Sequence, residues 1–355
     1  MRIGILTFHR AHNYGAVLQC YALQKVLATM GHDAVVIDYR QPYVESQYAS
    51  FNWQYFLDQL VNFRLLTMLR YFAKVRKNVI RAAVFRRFRN RHLSVSSKCG
   101  SGQIPLYDCY VIGSDQVWSL HCTKYADDVY WGQFARPAKS KIIGYAISST
   151  IESLLQIGGE KVKKHLHDFS AVSFREEAIR NQVASMAGVK GEMALDPTLL
   201  FTADCWHGLT ENVPVQPSVV VYHAQFRYAS QNVRREVDEK ARQLARSLDC
   251  GVIDLSNCIT SPEYFVAAFK QARYVITNSF HGVALALTFN KPMYAILCHD
   301  SLDERYKRLL TAVGGDAMLV DTDFVPVAKP VDYEPINVAL AKLRSHSIDF
   351  LQHNI

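Results

Sequence analysis

Short apolar runs of four to six residues alternate with stretches of helical period through most of this chain, the pattern of parallel α/β sheets. Residues 3–7 predict a first strand. Residues 16–30 predict a helix, with Val17, Tyr21, Leu23, Val26 and Leu27 at helical spacing and Gly31 as its stop. Residues 34–38 predict the next strand and complete a βαβ unit. A long helical pattern over 52–92 then interrupts the alternation, which resumes with strands at 109–112, 141–147 and 171–174. The run 195–200 is broken by Asp196-Pro197. Further strands are expected at 219–223, 251–255, 273–277 and 293–297, with helices at 231–248, 263–270, 283–289 and 303–312 between them and an amphipathic helix at 337–352. The expected architecture is α/β: a Rossmann-like domain over 1–170 carrying the helical insertion, a second over 171–330, and a C-terminal helix over 331–355. Open α/β sheets bind ligands beyond the carboxyl ends of their strands, so residues just after strands are the candidates for chemistry.

Composition narrows this picture. The 355 residues exceed one ordinary core and suggest two domains of roughly 150 residues each. Hydrophobic residues make up 49% and charged ones 20%, which is globular composition. Eight cysteines are scattered without a C-x-x-C or a His pair at zinc spacing, so reduced thiols are expected, with no disulfide framework and no structural metal. The N-terminus enters a strand pattern at once, and no stretch approaches 18 uncharged apolar residues, so a cytoplasmic chain without a signal peptide or membrane span is expected.

The net charge of +8 is local. Between Asn62 and His92 lie Arg64, Arg70, Lys74, Arg76, Lys77, Arg81, Arg86, Arg87, Arg89 and Arg91, with no acid among them. Without these ten the 40 basic residues fall to 30, against 32 acidic ones. Arg70, Lys74, Lys77 and Arg81 share helical spacing, beside a stripe of Leu65, Leu69, Phe72, Val75 and Val79. A basic amphipathic helix suits an anionic membrane surface; the alternative is a helical hairpin packed on the first domain with solvated arginines. No helix-turn-helix, RRM or zinc-finger pattern accompanies it, so nucleic acid is not expected as a partner.

Five loops carry candidate chemistry. In Thr277-Asn278-Ser279-Phe280-His281-Gly282 a strand turns into a helix, whose first N–H groups and dipole attract a phosphate or carboxylate. His281 at its mouth can act as acid or base near neutral pH. The alternative makes Asn278 and Ser279 helix caps and His281 a surface histidine. The loop after the first strand includes Asn13, Tyr14 and Gly15 and lacks both G-x-G-x-x-G and the P-loop lysine. Gly113-Ser114-Asp115 with Trp118 offers backbone donors, a carboxylate and an aromatic that could face a sugar ring. Ser148-Ser149 follows another strand as a weaker turn. Arg175, at a strand end, can clamp an anion or pair with a neighbouring glutamate.

Taken in order, these loops resemble the polysaccharide pyruvyl transferase family. The resemblance runs from residue 1 to about 300 through His12-Asn13-Tyr14-Gly15-Ala16-Val17-Leu18-Gln19, residues 111–118, Ser173-Phe174-Arg175-Glu176, residues 195–200, and Ser279-Phe280-His281-Gly282. It implies two Rossmann-type domains facing across a cleft, as in GT-B glycosyltransferases, and needs no cofactor, nucleotide or metal. It also implies transfer of the pyruvyl group of phosphoenolpyruvate onto two hydroxyls of a sugar, with a lipid-linked oligosaccharide as one form of acceptor. Carried over, His281 is the catalytic histidine and Arg175 a ligand of the donor. Asp115 is a second proton-transfer group or a ligand of the acceptor, and Asn278, Ser279 and Gly282 belong to the donor turn. Asn13, Tyr14, Gly15, Gly113, Ser114 and Trp118 belong to the acceptor side. Relatives carry Arg-Leu-His at the turn, where this chain has Ser279-Phe280-His281. Arg227 and Arg305, or Arg308, are the expected substitutes for that arginine. Two other readings stay open: a GT-B glycosyltransferase with a nucleotide-sugar donor, and a non-catalytic glycan- or lipid-surface protein.

Overall fold

The computed structural model describes residues 1–48, 65–224 and 227–355. It divides into two compact units, Met1–Asp196 with Phe350–Ile355, and Pro197–Asp349. Each unit is built on its own all-parallel sheet, the arrangement of a Rossmann-like domain.

Unit 1 runs β1 (Arg2–Leu6), α1 (Tyr14–Thr29), β2 (Asp33–Val36), α2 (Pro42–Gln47), α3 (Leu65–His92), β3 (Cys109–Gly113) and β4 (Lys141–Ile147). It continues with α4 (Ile151–Ile157), α5 (Gly159–Leu166), β5 (Ala171–Phe174), α6 (Glu177–Ala187) and β6 (Glu192–Met193). The strand order is β2-β1-β3-β4-β5-β6. After β1 the chain goes outward to β2 and returns on the other side with β3, so the order reverses between β1 and β3. At such a switch point the loops diverge and leave a crevice. Strands buried on both faces read as unbroken apolar runs, and all five residues of β3 are buried.

Unit 2 runs β7 (Ser218–Tyr222), α7 (Gln231–Ser247), β8 (Gly251–Asp254), α8 (Pro262–Gln271), β9 (Ala272–Thr277) and α9 (Phe280–Thr288). β10 (Met293–Ile296), α10 (Asp303–Val313), β11 (Leu319–Val320) and α11 (Glu334–Asn354) follow. The order β11-β10-β9-β7-β8 puts this sheet's switch point between β7 and β9. The Thr277–Gly282 turn therefore stands at the switch point of its own sheet.

The expected division at 170/171 moves to 196/197. β5 pairs with β4 and β6 with β5, so residues 171–196 belong to the first sheet. The C-terminal helix is likewise not separate: it lies in unit 2 to Asp349, and Phe350–Ile355 belong to unit 1. There Lys141 Nζ donates to the carbonyls of Asn354 and Ile355, each at 3.1 Å.

Of the basic insertion, residues 52–64, including Arg64, lie outside the described residues, as do the side chains of Leu65, Leu69 and Arg70. The rest is α3. Its buried face is Phe85, Phe88 and Arg89, while Lys74, Arg76, Lys77, Arg86, Arg87 and Arg91 are exposed, and Val79, expected in an apolar stripe, is exposed with them. All eight cysteines are free thiols. Among the described residues no helix is long and apolar enough to cross a membrane.

Candidate functional site

In unit 2, β9 ends on Thr277, whose Oγ1 donates to the Tyr222 carbonyl at 2.6 Å and accepts from the Ser279 N–H at 3.1 Å. Asn278 is fully buried. Its Oδ1 accepts from the Ala224 N–H at 2.7 Å, and its Nδ2 donates to Cys298 Sγ at 3.4 Å, so one side chain ties the ends of β7, β9 and β10. Ser279 occupies the N-cap of α9 with extended backbone, yet its side chain makes no capping bond. A helix start leaves up to four N–H groups without intrahelical acceptors, and a hydroxyl not used as a cap stays at hand beside them. His281 is the second residue of the helix, half-buried, with its ring 5.3 Å from that of Phe280.

Gly282 is required by packing. A Cβ there would stand 2.2 Å from Thr277 Oγ1 and 2.9 Å from Thr277 Cβ. The close approach is thus made by a side chain of the same turn. Gly282→Ala is expected to destabilise the protein by about 1–3 kcal/mol, the usual cost of overpacking. In a double-mutant cycle with Thr277→Ala, the two costs should fall short of additive, read by urea unfolding. Strict additivity would show that the two residues do not compete for space.

Arg227, expected as an anion ligand, is committed to the protein. Its Nε and Nη2 donate to Asp300 at 2.9 and 2.6 Å, and the guanidinium also reaches Asp303 and the Asn278 carbonyl. Burial alone would lower its pKa, but the bonds to Asp300 outweigh it and hold the charge in place. The residue therefore braces the turn from behind. Arg305 is half-buried in the first turn of α10, and Arg308 donates to Glu304 at 3.3 Å on the same helix.

In unit 1 the ends of β3, β4, β5 and β6 are joined by one polar network. Ser114 Oγ donates to Asp196 Oδ2 at 3.4 Å, Arg175 Nη1 to the same oxygen at 2.8 Å, and Arg175 Nε to Glu176 Oε1 at 3.2 Å. Ser148 Oγ donates to Glu176 Oε1 at 2.9 Å. The Arg175 side chain is 6% exposed, so the guanidinium expected to clamp a donor is already held by two carboxylates. Burial would lower its pKa, yet Glu176 and Asp196 raise it. Asp115 is half-buried beside this network; its Oδ1 accepts from the Gln116 N–H at 2.8 Å, and its carbonyl from the Ser148 N–H at 3.3 Å.

Trp118 does not face a sugar. It is 1% exposed, stacked on Trp131 at 4.1 Å and 5°, with Nε1 donating to the Tyr130 carbonyl at 2.9 Å. An indole that gains both a stacking partner and a hydrogen bond inside the core has no face left for a ligand. Asn13 is the N-cap of α1, its Oδ1 accepting from the Ala16 N–H at 3.2 Å, with Tyr14 and Gly15 buried behind it.

Sequence reasoning missed the charged cluster beside that cap. Asp38, just past β2, accepts from His9 Nε2 at 3.1 Å and Arg10 at 3.5 Å through Oδ1, and from Arg40 at 2.9 Å through Oδ2. Arg10 also donates to Glu45 at 2.6 Å. Burial would raise the Asp38 pKa, but His9 and Arg40 hold it well below the carboxylate range. A group so depressed stabilises the fold above its unfolded pKa of about 3.9, and that contribution is lost as pH falls through the folded value. Asp38→Asn should therefore cost roughly 1–3 kcal/mol at pH 7, and the gap to the parent protein should narrow below about pH 4. A gap constant from pH 7 to pH 3 in urea titrations would contradict the assignment. The sequence signal for this cluster is only His9-Arg10 after one strand and Asp38 with Arg40 after the next.

No group of three or more candidate metal ligands occurs among the described residues. The depression lined by Gln133, Glu160, Lys163, Lys164, His167 and Asp168 is formed by segments that precede β4 and β5, away from these loops.

The polysaccharide pyruvyl transferase family model matches residues 13–300. No curated protein matches the chain. Among solved structures, the UDP-GlcNAc 2-epimerase of Methanocaldococcus jannaschii is similar at 11% identity and a TM-score of 0.46, over 96% of this chain and 92% of that one. The UDP-GlcNAc 2-epimerase of Neisseria meningitidis, bound to UDP-GlcNAc, aligns at 11% identity and 0.41, over 100% and 93%. The glycosyltransferase SsfS6 of Streptomyces sp. SF2575 aligns at 13% identity and 0.41, over 99% of each chain.

Proposed function

This chain belongs to the polysaccharide pyruvyl transferase family, and from that premise we propose that it moves the pyruvyl group of phosphoenolpyruvate onto two hydroxyls of a sugar in a cell-surface or exopolysaccharide repeat. The observation that carries the proposal is the Thr277–Gly282 turn: a helix start at a switch point, an N-cap hydroxyl not spent on capping, and an imidazole in the first turn.

The chemistry sets what the residues must do. One sugar hydroxyl adds to C2 of the enol phosphate while a proton is delivered to the methylene carbon, which becomes a methyl group. The C2–O bond to phosphate then breaks, phosphate leaves with the electron pair, and the second hydroxyl adds to C2. Two hydroxyl protons are released, one balancing the methyl group and one the phosphate. His281 is assigned the proton delivered to the methylene, and Asp115 the role of base or ligand for an acceptor hydroxyl. The N–H groups at the start of α9, with the Ser279 hydroxyl, are assigned the donor's negative oxygens. Asn278, Gly282 and Arg227 hold that turn in shape, and Arg305, in the first turn of α10, is assigned as a further donor ligand. Arg175 fixes the carboxylates of Asp196 and Glu176.

Acceptor-dependent release of phosphate from phosphoenolpyruvate tests the reading directly. Thermal stabilisation by UDP or GDP, with no phosphate release on any pyruvyl acceptor, would replace it with a nucleotide-sugar glycosyltransferase.

Peripheral attachment to an anionic membrane, next to a lipid-linked acceptor, fits the exposed face of α3. Each basic residue near such a surface contributes about 1 kcal/mol. Neutralising Lys74, Arg76 and Lys77 together should weaken binding to anionic vesicles roughly a hundredfold. Unchanged vesicle binding would remove the membrane from the proposal.

A further inference from the structure

Among the described residues, Arg89 is a buried cation without an ion-pair partner. It is 7% exposed, its Nη1 is sealed from solvent with no hydrogen-bond acceptor, and among the described residues no ion pair reaches its guanidinium. A charge taken out of water in this way is costly unless something pairs with it. The neighbouring carboxylates are already engaged. Asp38 holds His9, Arg10 and Arg40, and Glu45 holds Arg10.

The surroundings of this group are consistent in sign. Arg81, Phe85 and Arg89 are spaced by four along α3 and so share one face. The Phe85 ring lies 5.7 Å from His12 and 5.2 Å from Tyr14, which sets this face over the β1–α1 loop and the first turn of α1. The charges acting on Arg89 come from Arg10, Asp38, Glu45 and Arg40, all in the loops after β1 and β2 or in α2. Burial, followed by Arg89, Arg81 and Arg10, lowers the His12 pKa to about 4. Four arginines and two carboxylates therefore surround the N-terminus of a 16-residue helix at the switch point of its sheet. Positive helix end, surplus guanidinium and switch point all favour the same ligand, a compact oxyanion.

We propose that unit 1 contains its own phosphate-binding site, at the N-terminus of α1 beneath α3, with Arg89 as the principal ligand and Arg81 and Arg10 at its margin. It is distinct from the donor turn at 277–282 and does not depend on that assignment. Its ligand class is a phosphate or diphosphate group, and in an enzyme acting on activated sugars such a group can arrive on the acceptor.

The test uses the full chain at fixed ionic strength, with inorganic phosphate and pyrophosphate as probes in calorimetry and thermal unfolding. Both should bind and raise Tm, and the exposed-site control Arg87→Gln should behave as the parent. Arg89→Met should abolish the response while leaving the ligand-free Tm equal to or above the parent value, because a buried unpaired guanidinium is removed. A purely structural arginine would instead lower Tm on replacement and leave phosphate binding intact. Should Arg89→Met fail to fold, Arg81→Gln, at a half-buried position, is expected to weaken pyrophosphate at least threefold. No binding of either probe to the parent protein, full binding by Arg89→Met, or unaltered affinity in Arg81→Gln would each overturn the proposal. So would a response to anionic vesicles alone, since the site lies beneath α3 and not on its outer face.

Discussion

Replacing His281 by alanine is expected to lower turnover by about 10²–10⁴-fold, the usual worth of a positioned acid–base group, with phosphoenolpyruvate affinity changed much less. The split follows from where the residue sits. Its imidazole projects from the first turn of α9, whereas the assigned donor ligands are the backbone N–H groups and Ser279 at the same helix start. Removing the ring takes away proton delivery and leaves the backbone in place, because Thr277 and Asn278 hold the turn without it. An interaction made only in the transition state lowers kcat and kcat/KM together. Steady-state kinetics on phosphate release, with a parallel measurement of donor binding, decides the matter. Full turnover in His281→Ala would sink the catalytic assignment, and loss of donor binding alone would make His281 a ligand.

The largest effect on stability is expected at Gly113→Ala. Gly113 closes β3 at φ +119°, a conformation that side-chain-bearing residues rarely adopt. A Cβ there would stand 2.2 Å from the backbone oxygen of Tyr145, the residue paired with it across the ladder to β4. The obstacle is backbone in the middle of a sheet, so it cannot swing aside as a side chain would. Strained backbone costs about 1–3 kcal/mol, and the displaced carbonyl adds to it. A total near 3 kcal/mol corresponds to a fall in Tm of roughly 6–12 °C for a unit of this size. Gly100→Ala, where nothing lies within 4 Å of the added carbon, is the matched control and should shift Tm little. A Tm for Gly113→Ala equal to the control's would show that the sheet yields more easily than its pairing implies. The same substitution should also lower activity, since Ser114 and Asp115 leave the sheet from this glycine.

Much of this was legible because parallel strands write themselves as apolar runs. The strands at 141–147 and 171–174 lie at the expected residues, and the helix expected from 16 begins two residues earlier, at Tyr14 after its Asn13 cap. Gly31 is the expected stop, with φ +83° just past the cap of α1. The division at 196/197 is not legible in the sequence, because β6 is two residues long and carries no periodic signal that would tie 171–196 to the first sheet. The site was harder for a different reason. The pairing of Arg175 with Asp196 joins residues 21 apart, and Trp118 is claimed by Trp131 through stacking that no spacing rule encodes. Arg227 is likewise claimed by Asp300 and Asp303, more than seventy residues further along the chain. Single residues after strands mark where a site is to be expected. Which of them remain open to a ligand is settled by partners distant in the chain.

The placement of Phe350–Ile355 in unit 1 bears on how the protein is made. Domains usually complete themselves in order as they leave the ribosome. Here the second unit is one continuous stretch, whereas the first stays without its final helical turn until all of the second has been synthesised. The Tyr145 ring meets Phe350 at 6.2 Å, and Lys141 meets the carbonyls beyond it, so strand β4 is kept waiting for a segment some two hundred residues downstream. The N-terminal unit is begun first and finished last.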